Sequence, residues 1–172
     1  MSEHNFDLVV LGGGSAGYAA AIRGVQLGMS AVVIEKDKLG GTCLHRGCVP
    51  TKAMLHSAEV ADAVADGARM GINLSLDGVD GEKIAAFRDG IVSSKHKGLQ
   101  GLLKMRGVEV VEGFGRLVDD KTVEVDGERY VGKHIVLATG SFSKTIPGLE
   151  ITGNVITSDQ ALQMNWVPRR AV

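Results

Sequence analysis

A glycine-rich loop between a strand-like and a helix-like segment near the N-terminus is the feature that most constrains the fold. Residues 7–11 are typical of a short buried strand, and they lead into a Gly-x-Gly-x-x-Gly sequence at 12–17. An alanine-rich helix is predicted over 18–27, and a second strand over 31–34 ends at Glu35. This order of strand, glycine loop, helix, strand and acidic residue is the pattern of a βαβ unit that binds a dinucleotide.

Each position of the glycine loop has its own expected role. Gly12 makes the tight turn, Gly14 lets the backbone approach a pyrophosphate, and Gly17 lets the helix pack on the strand. The pyrophosphate would lie at the helix N-terminus, beside Ser15 and Ala16, where N–H groups and the helix dipole favour an anion.

Glu35, at the end of the second strand, is placed to accept hydrogen bonds from an adenosine ribose. A carboxylate there would repel a 2′-phosphate, which disfavours NADP at this site. The alternative interpretation is a tight strand-to-helix turn followed by a surface acid.

The two cysteines of the chain, Cys43 and Cys48, are separated by four residues and follow the pair Gly40-Gly41. Cysteines this close either bridge, bind a metal or carry out redox chemistry. Residues five apart on a regular helix are separated by about 7.5 Å of rise, whereas a disulfide tolerates Cα separations of about 4.4–6.8 Å. The segment is therefore not an undistorted helix if the cysteines bridge. A bridge strained into so tight a loop is easily reduced, which favours a working disulfide.

A structural zinc site is the alternative for this segment. Cys43, His45, Cys48 and His56 offer four possible ligands, but their spacings match none of the common zinc modules. A zinc module would also leave the glycine loop unexplained, so we expect no metal.

The middle of the chain is predicted to be helical, over 51–65 and again over 82–105. The second helix has apolar residues for a buried face at Ile84, Phe87, Ile91, Leu99, Leu102 and Leu103. The basic group 95–97 on the same helix is expected to be a solvated face. Near the C-terminus, a short helix capped by Ser158 is predicted.

Strand signals crowd together after the second helix, at 108–111, 114–118, 122–125 and 130–131. The turns between the later ones predict an antiparallel meander. A last buried strand over 135–138 leads into Thr139-Gly140-Ser141. The predicted fold class is therefore α/β, a Rossmann-like doubly wound domain with an inserted antiparallel β-meander. It is expected to be truncated, because only three parallel strands are readable and 169–172 resembles the start of another.

Charge and composition narrow the possible partners. The net charge of −1 and the 4% of aromatic residues do not favour nucleic acid, and no segment resembles a membrane span or a signal peptide. We therefore expect a cytoplasmic protein, a reducing compartment in which a close cysteine pair is catalytic more often than structural.

The glycine loop and the cysteine pair together favour FAD over NAD in this first site. A nicotinamide donates hydride, whereas a disulfide is opened by thiolate attack on one sulfur. A flavin can exchange electrons with both. The short distance in sequence between the loop and the cysteines supports this interpretation.

Residues 41–52 resemble the active-site signature of the pyridine nucleotide–disulfide oxidoreductases. Within that family, Leu44-His45-Arg46-Gly47 and Thr51-Lys52 are more similar to the members that oxidise dihydrolipoamide than to glutathione and mercuric reductases. The resemblance continues through 112–116, 138–141 and 147–150, and it covers essentially the whole chain.

The resemblance implies roles for the matching residues. Cys43 would be the thiol that exchanges with dihydrolipoamide, Cys48 would be the thiolate against the flavin, and Lys52 would lie near the flavin ring, where an ammonium can stabilise negative charge. The residues expected to hold FAD are Gly12, Gly14, Ser15, Ala16, Gly17, Glu35, Lys36, Gly40, Gly41, Thr42, Cys43, Cys48, Lys52, Gly115, Ala138, Thr139, Gly140 and Ser141.

The resemblance also implies NAD as the final electron acceptor of the full-length enzyme, a homodimer, and the lipoyl domains of 2-oxo acid dehydrogenase complexes as partners. The chain has no second glycine loop for NAD and no His–Glu pair to act as a base. Residues 1–145 are therefore expected to be the N-terminal part of the FAD-binding domain, inactive alone, with 146–172 as a linker towards an NAD-binding domain. The alternatives are mycothione, glutathione or mercuric reductase, or a non-catalytic FAD-binding remnant.

Overall fold

The computed structural model describes residues 2–172, which form a mixed α/β fold with one six-stranded sheet, and so confirms the predicted class. The strands are β1 (Glu3–Leu11), β2 (Ala31–Glu35), β3 (Glu109–Glu112), β4 (Arg116–Leu117), β5 (Thr122–Val125) and β6 (Glu128–Leu137). The helices are α1 (Ser15–Gln26), α2 (Gly41–Arg46), α3 (Cys48–Gly67), α4 (Gly81–Met105) and α5 (Ser158–Ala161), with a 3₁₀ turn over Ala68–Met70.

The strand order is β3-β2-β1-β6-β5-β4. The first four strands are parallel, and β5 and β4 continue the sheet in antiparallel pairing. The parallel part therefore has four strands instead of the three that were expected, because the segment predicted at 108–111 pairs with β2 and does not belong to the meander.

The strands predicted separately at 130–131 and 135–138 are one continuous strand, β6. It pairs with β1 from Glu3↔Arg129 to Leu11↔Leu137, so the prediction of a break was wrong. The glycine inside it, Gly132, does not interrupt the strand. A Cβ there would come within 2.7 Å of the His134 carbonyl oxygen on the same strand and within 3.0 Å of Val9 Cγ2 on β1, so there is no room for a side chain at this position.

The chain divides into two compact units. The first contains the residues up to Cys43 together with Lys95–Phe142, and it holds the whole sheet and α1. The second contains Leu44–Ser94 and Ser143–Val172, with α3, α5 and the first half of α4.

The central strands β1 and β2 carry runs of consecutive buried residues. Since successive residues of a strand point to opposite sides, these strands are buried on both faces. Leu8 and Val10 of β1 lie in a cluster with Leu103 of α4, whereas Val9 lies in a second cluster with Val123 of β5. Helix α1 packs closely because small residues line its buried side, namely Gly17, Ala21 and Gly24.

The second unit buries a charged side chain. Arg88 of α4 is only 5% exposed, and its guanidinium donates to the carbonyl oxygens of Leu162 and Met164 at 2.7 and 2.9 Å. Arg88 therefore lies on the buried side of α4. Phe87, which was predicted to be buried, is 46% exposed.

The N-cap of helix α5 lies one residue earlier than predicted. The N-cap is Thr157 and not Ser158, and Thr157 and Gln160 form a capping box with each other. The reciprocal hydrogen bonds need a glutamine three residues after the cap, and only Thr157 has one at that position.

None of the helices within residues 2–172 combines the length and the apolar character that crossing a membrane requires.

Asp7 of β1 connects the residue before β2 with strand β6 in the first unit. Its carboxylate accepts hydrogen bonds from the backbone N–H and the hydroxyl of Ser30, at 2.8 and 2.9 Å, and lies 2.6 Å from Lys133 Nζ on β6. The hydrogen bond from Lys133, followed by those from Ser30, lowers the pKa of Asp7 well below its ordinary value. A carboxyl group whose pKa is lowered by folding stabilises the folded state above its unfolded pKa of about 3.9 and loses that contribution as the pH falls further.

We expect Asp7→Asn to lower the urea midpoint of unfolding at pH 7, and the difference from the wild type to shrink progressively below about pH 4. Urea titrations followed by circular dichroism at several pH values measure this. Asp120→Asn, at an exposed turn position, is the matched control and should show no such convergence. A difference between Asp7→Asn and wild type that stayed constant down to pH 2 would contradict the assignment.

Candidate functional site

Two glycines of the loop at 12–17 are required by packing. Gly12 has a φ of 106°, and a Cβ at this position would collide with the Ala138 carbonyl oxygen at the end of β6. A Cβ on Gly17 would collide with the Gly12 carbonyl oxygen. The Gly12 N–H donates to the Ile34 carbonyl at 2.8 Å, which fixes the turn between β1 and α1 against the end of β2.

Gly14 differs from both. Its φ is −70°, and an added Cβ would meet only the Cα of Gly41, at an ordinary 3.9 Å. Gly14 is also the N-cap of α1, and no side chain caps the helix there. A side chain at Gly14 is therefore excluded neither by packing nor by the backbone, and its absence leaves the helix N-terminus open to an anion.

The Gly40-Gly41 turn lies directly against this loop. The Gly40 N–H donates to the Gly13 carbonyl at 2.8 Å, and Gly40 forms a parallel bridge with Gly14. Gly41 has a φ of 56°, and a Cβ on it would come within 2.8 Å of the Gly14 Cα. The structure thus brings together two of the glycine segments predicted to bind the cofactor.

A cleft of about 130 Å³ opens beside the glycine loop at the carboxyl ends of β1 and β2. Five residues predicted for the cofactor line it, namely Gly12, Glu35, Lys36, Gly115 and Thr139, together with Leu11, Ile34, Gly113 and Phe114. Ligands of open α/β sheets bind at this end of the strands. Gly140 and Ser141 follow Thr139 on the exposed surface.

Phe114 is a residue of the cleft that sequence reasoning did not select as a site. Lys36 Nζ lies 5.5 Å from the centre of its ring, and the guanidinium carbon of Arg116 lies 5.8 Å from it. The neighbouring Gly115 is tightly packed, because a Cβ there would come within 2.5 Å of Leu11 Cδ1.

The carboxylate of Glu35 accepts two hydrogen bonds from backbone N–H groups. Its Oε2 accepts the Gly13 N–H at 2.6 Å, and its Oε1 accepts the Asp37 N–H at 2.9 Å. Glu35 therefore holds the glycine loop. Each carboxylate oxygen has a second lone pair, which leaves acceptor capacity for a ribose hydroxyl.

The helix breaks between the two cysteines. Cys43 lies in α2, Gly47 adopts a non-helical backbone with φ −146° and ψ −114°, and Cys48 begins α3. The Thr51 hydroxyl and N–H both donate to the Gly47 carbonyl, at 2.7 and 3.0 Å, and stabilise the new helix start. The segment is not an undistorted helix, which is the condition that a bridge between Cys43 and Cys48 requires.

Cys48 and Lys52 lie four residues apart on α3 and both are exposed. Residues at this spacing share one face of a helix. Cys48 occupies the first position of α3, where the helix dipole favours a negatively charged group. Cys43 is half-buried.

His45 and Arg46 are half-buried and form the last residues of α2. Over residues 2–172, no three His, Cys, Asp or Glu side chains converge in a way that could hold a metal ion.

The comparison with known families decides the classification. The model of the pyridine nucleotide-disulphide oxidoreductase family matches residues 6–172. This chain belongs to that family. The resemblance inferred from residues 41–52 is thereby confirmed.

Several curated members of the family are similar to this chain. Dihydrolipoyl dehydrogenase of Bacillus subtilis is 38% identical over 97% of this chain and 38% of its own length. Dihydrolipoyl dehydrogenase of Pseudomonas aeruginosa is 40% identical over 96% of this chain and 37% of its own length. Leghemoglobin reductase of Vigna unguiculata is 43% identical over 99% of this chain and 34% of its own length. The chain thus spans less than two fifths of the length of each of these relatives.

The sequence motifs gave no indication that His96 contacts the segment beside the glycine loop. This residue was assigned to a solvated basic group, but it is half-buried, and its Nδ1 lies 3.0 Å from the Leu39 carbonyl oxygen. The signal was present in the sequence, because His96 precedes Leu99 by three residues and Leu103 by seven, a spacing that places it on the buried side of α4.

Proposed function

We propose that this chain binds FAD and carries the redox pair Cys43–Cys48 of an enzyme that oxidises dihydrolipoamide to lipoamide with NAD⁺ as the final acceptor. Family membership supports a flavin disulfide oxidoreductase. The names of the bacterial relatives, dihydrolipoyl dehydrogenase, support the dihydrolipoyl group as the substrate class.

A single observation carries the FAD-binding part of the proposal. Gly14 has room for a side chain and lacks one, at the open N-terminus of α1 and against the Gly40-Gly41 turn. The turn continues directly into α2, which carries Cys43. The loop that would hold a pyrophosphate and the segment that carries the first cysteine are therefore hydrogen-bonded neighbours.

The residues present fit FAD. Gly14, Ser15 and Ala16 would receive the pyrophosphate, Glu35 would accept from the ribose, and Gly12, Lys36, Gly40, Gly41, Thr42, Gly115, Ala138, Thr139, Gly140 and Ser141 would complete the site. When bound, FAD supplies a carrier that accepts two electrons from a dithiol and passes them on to a nicotinamide.

The thiol chemistry belongs to the chain itself. A thiolate of dihydrolipoamide attacks the Cys43 sulfur of the oxidised pair, which forms a mixed disulfide and releases Cys48 as a thiolate. The second thiolate of the same substrate molecule then attacks the substrate sulfur of the mixed disulfide. The bond between that sulfur and Cys43 breaks, so that lipoamide leaves and Cys43 becomes a thiolate. The substrate loses two electrons and two protons, and the protein holds the two electrons as a dithiol. The Lys52 ammonium, on the same face of α3 as Cys48, would lie near the flavin ring and stabilise negative charge there.

The remaining expectations are part of this proposal. NAD would bind elsewhere in the full-length enzyme, lipoyl domains of 2-oxo acid dehydrogenase complexes would deliver the substrate, and the full-length enzyme would be a homodimer. Residues 1–145 would form the FAD-binding part, with 146–172 leading to the NAD-binding domain. A cytoplasmic location agrees with a working cysteine pair that is cycled by dithiols.

Titration of the purified chain with FAD tests the proposal. We expect saturable binding of one FAD, seen as a change in flavin fluorescence, and a rise in the midpoint of thermal unfolding as FAD is added. ADP should compete, since it shares the adenosine and pyrophosphate groups. If FAD neither bound to the chain nor raised its unfolding midpoint, the proposal for this chain would be contradicted.

The substrate class is tested by thiol exchange with the oxidised chain. Dihydrolipoamide should reduce the Cys43–Cys48 pair to two alkylatable thiols at lower concentration than glutathione does. Preference for glutathione would assign the chain to another member of the family.

A further inference from the structure

His96 contacts the residue that precedes the Gly40-Gly41 turn. Its Nδ1 lies 3.0 Å from the Leu39 carbonyl oxygen, and both residues belong to the first unit. A carbonyl oxygen can only accept a hydrogen bond, so Nδ1 must carry the proton and donate it. Leu99 and Leu103, farther along α4, pack in the same core cluster as Leu39, so His96 stands on a part of the helix that is anchored to the core.

The turn held in this way is the one that faces the glycine loop. Leu39 is 7% exposed, and the next residue, Gly40, donates its N–H to the Gly13 carbonyl and forms a bridge with Gly14. A continuous series of contacts therefore runs from His96 through Leu39 and Gly40 to the loop at the N-terminus of α1.

We propose that His96 is a positioning residue for the cofactor site: the hydrogen bond from its imidazole to Leu39 fixes the Gly40-Gly41 turn against the Gly12–Gly17 loop. This inference rests on the proposed function, because the site that it positions is the one assigned to FAD. His96 is not among the residues that line the cleft, and it would act through Leu39 and the turn.

Two substitutions separate the hydrogen bond from the packing of the helix. His96→Leu removes the donor but fills similar space, and leucine is the better helix former, so an effect through helix stability would be favourable. His96→Asn retains an N–H group near the position of Nδ1. Lys97→Leu, at the exposed neighbouring position, is the matched control.

We expect the FAD dissociation constant to rise about three- to tenfold in His96→Leu, the scale of one net hydrogen bond. We expect it to stay within about twofold of wild type in His96→Asn and Lys97→Leu, below the effect of one net hydrogen bond. Equal weakening in His96→Leu and His96→Asn would overturn the proposal, since it would assign the effect to the shape of the imidazole and not to its donor.

Amide hydrogen exchange of the FAD-free chain tests the same inference independently of cofactor binding. The Gly40 N–H should exchange faster in His96→Leu by about three- to tenfold, while the Gly12 N–H, which is bonded to Ile34, should not change. If the wild-type chain fails to bind FAD, the proposed function fails but this comparison still decides the role of His96. Unchanged exchange at Gly40 in His96→Leu would overturn the proposal.

Discussion

In a Gly14→Ala variant, we expect the affinity for FAD to fall about 10- to 100-fold, equivalent to about 1.4–2.8 kcal/mol of binding free energy. We expect the free energy of unfolding to change by no more than about 1 kcal/mol, the usual scale of an N-cap substitution. The reason is that the new methyl group meets only Gly41 Cα, at 3.9 Å, and would stand at the N-cap of α1, where the proposed function puts the pyrophosphate. Fluorescence titration with FAD and urea unfolding measure the two quantities separately.

Gly17→Ala is the matched control, and it should show the opposite pattern. A Cβ at Gly17 would collide with the Gly12 carbonyl oxygen, so the chain must shift and lose roughly 1–3 kcal/mol of stability or more. Any loss of FAD binding in this variant would accompany the loss of folding. If Gly14→Ala bound FAD as the wild type does, the pyrophosphate would not approach Gly14 and the site assignment would be wrong.

The two cysteine variants should behave differently from each other. In Cys43→Ser, Cys48 is the remaining thiol, and we expect FAD to slow its alkylation several-fold, because the flavin would cover a sulfur that is exposed in the FAD-free chain. In Cys48→Ser, the remaining Cys43 should be alkylated at the same rate with and without FAD. Mass spectrometry of iodoacetamide-treated protein gives both rates.

Absorbance provides a second readout for the same variants. A long-wavelength band from contact between a thiolate and the flavin should be present in Cys43→Ser and absent from Cys48→Ser. Neither variant can form the internal disulfide, so dithiol-dependent redox cycling should be lost in both. Serine is well tolerated at a helix N-terminus, which keeps the start of α3 intact. Equal protection of both thiols by FAD would contradict the division of roles between them.

The N-terminal βαβ segment was predictable because its information is local. β1, the glycine loop, α1 and β2 are adjacent in sequence, and Gly17 is required by a contact inside this segment, with the Gly12 carbonyl oxygen. The contact that requires glycine at position 12 comes from Ala138, more than 120 residues away, although the motif already indicated the glycine. A break between Cys43 and Cys48 was expected only on the condition that the two cysteines bridge. The structure has the break at Gly47 while both cysteines are free thiols.

Pairings between distant segments were not predictable from local patterns. The strand over Glu109–Glu112 has the same local appearance as the meander strands, and only its pairing with β2 assigns it to the parallel sheet. The continuity of β6 depends on β1 pairing along its whole length, so the local strand signals at 130–131 and 135–138 were mistaken for two strands.

The order and spacing of residues along the chain thus identified the glycine loop, Glu35 and the cysteine pair as the candidate site. The same pattern predicted FAD as the cofactor and indicated the family. Three further features depend on tertiary structure. They are the contact of His96 with Leu39, the hydrogen bond from the Gly13 N–H to Glu35, and the open space at Gly14. The physical reason is that a motif states which backbone conformation and which functional groups are available. Which donor reaches which acceptor across 20 or more residues is settled only when the sheet and the helices pack.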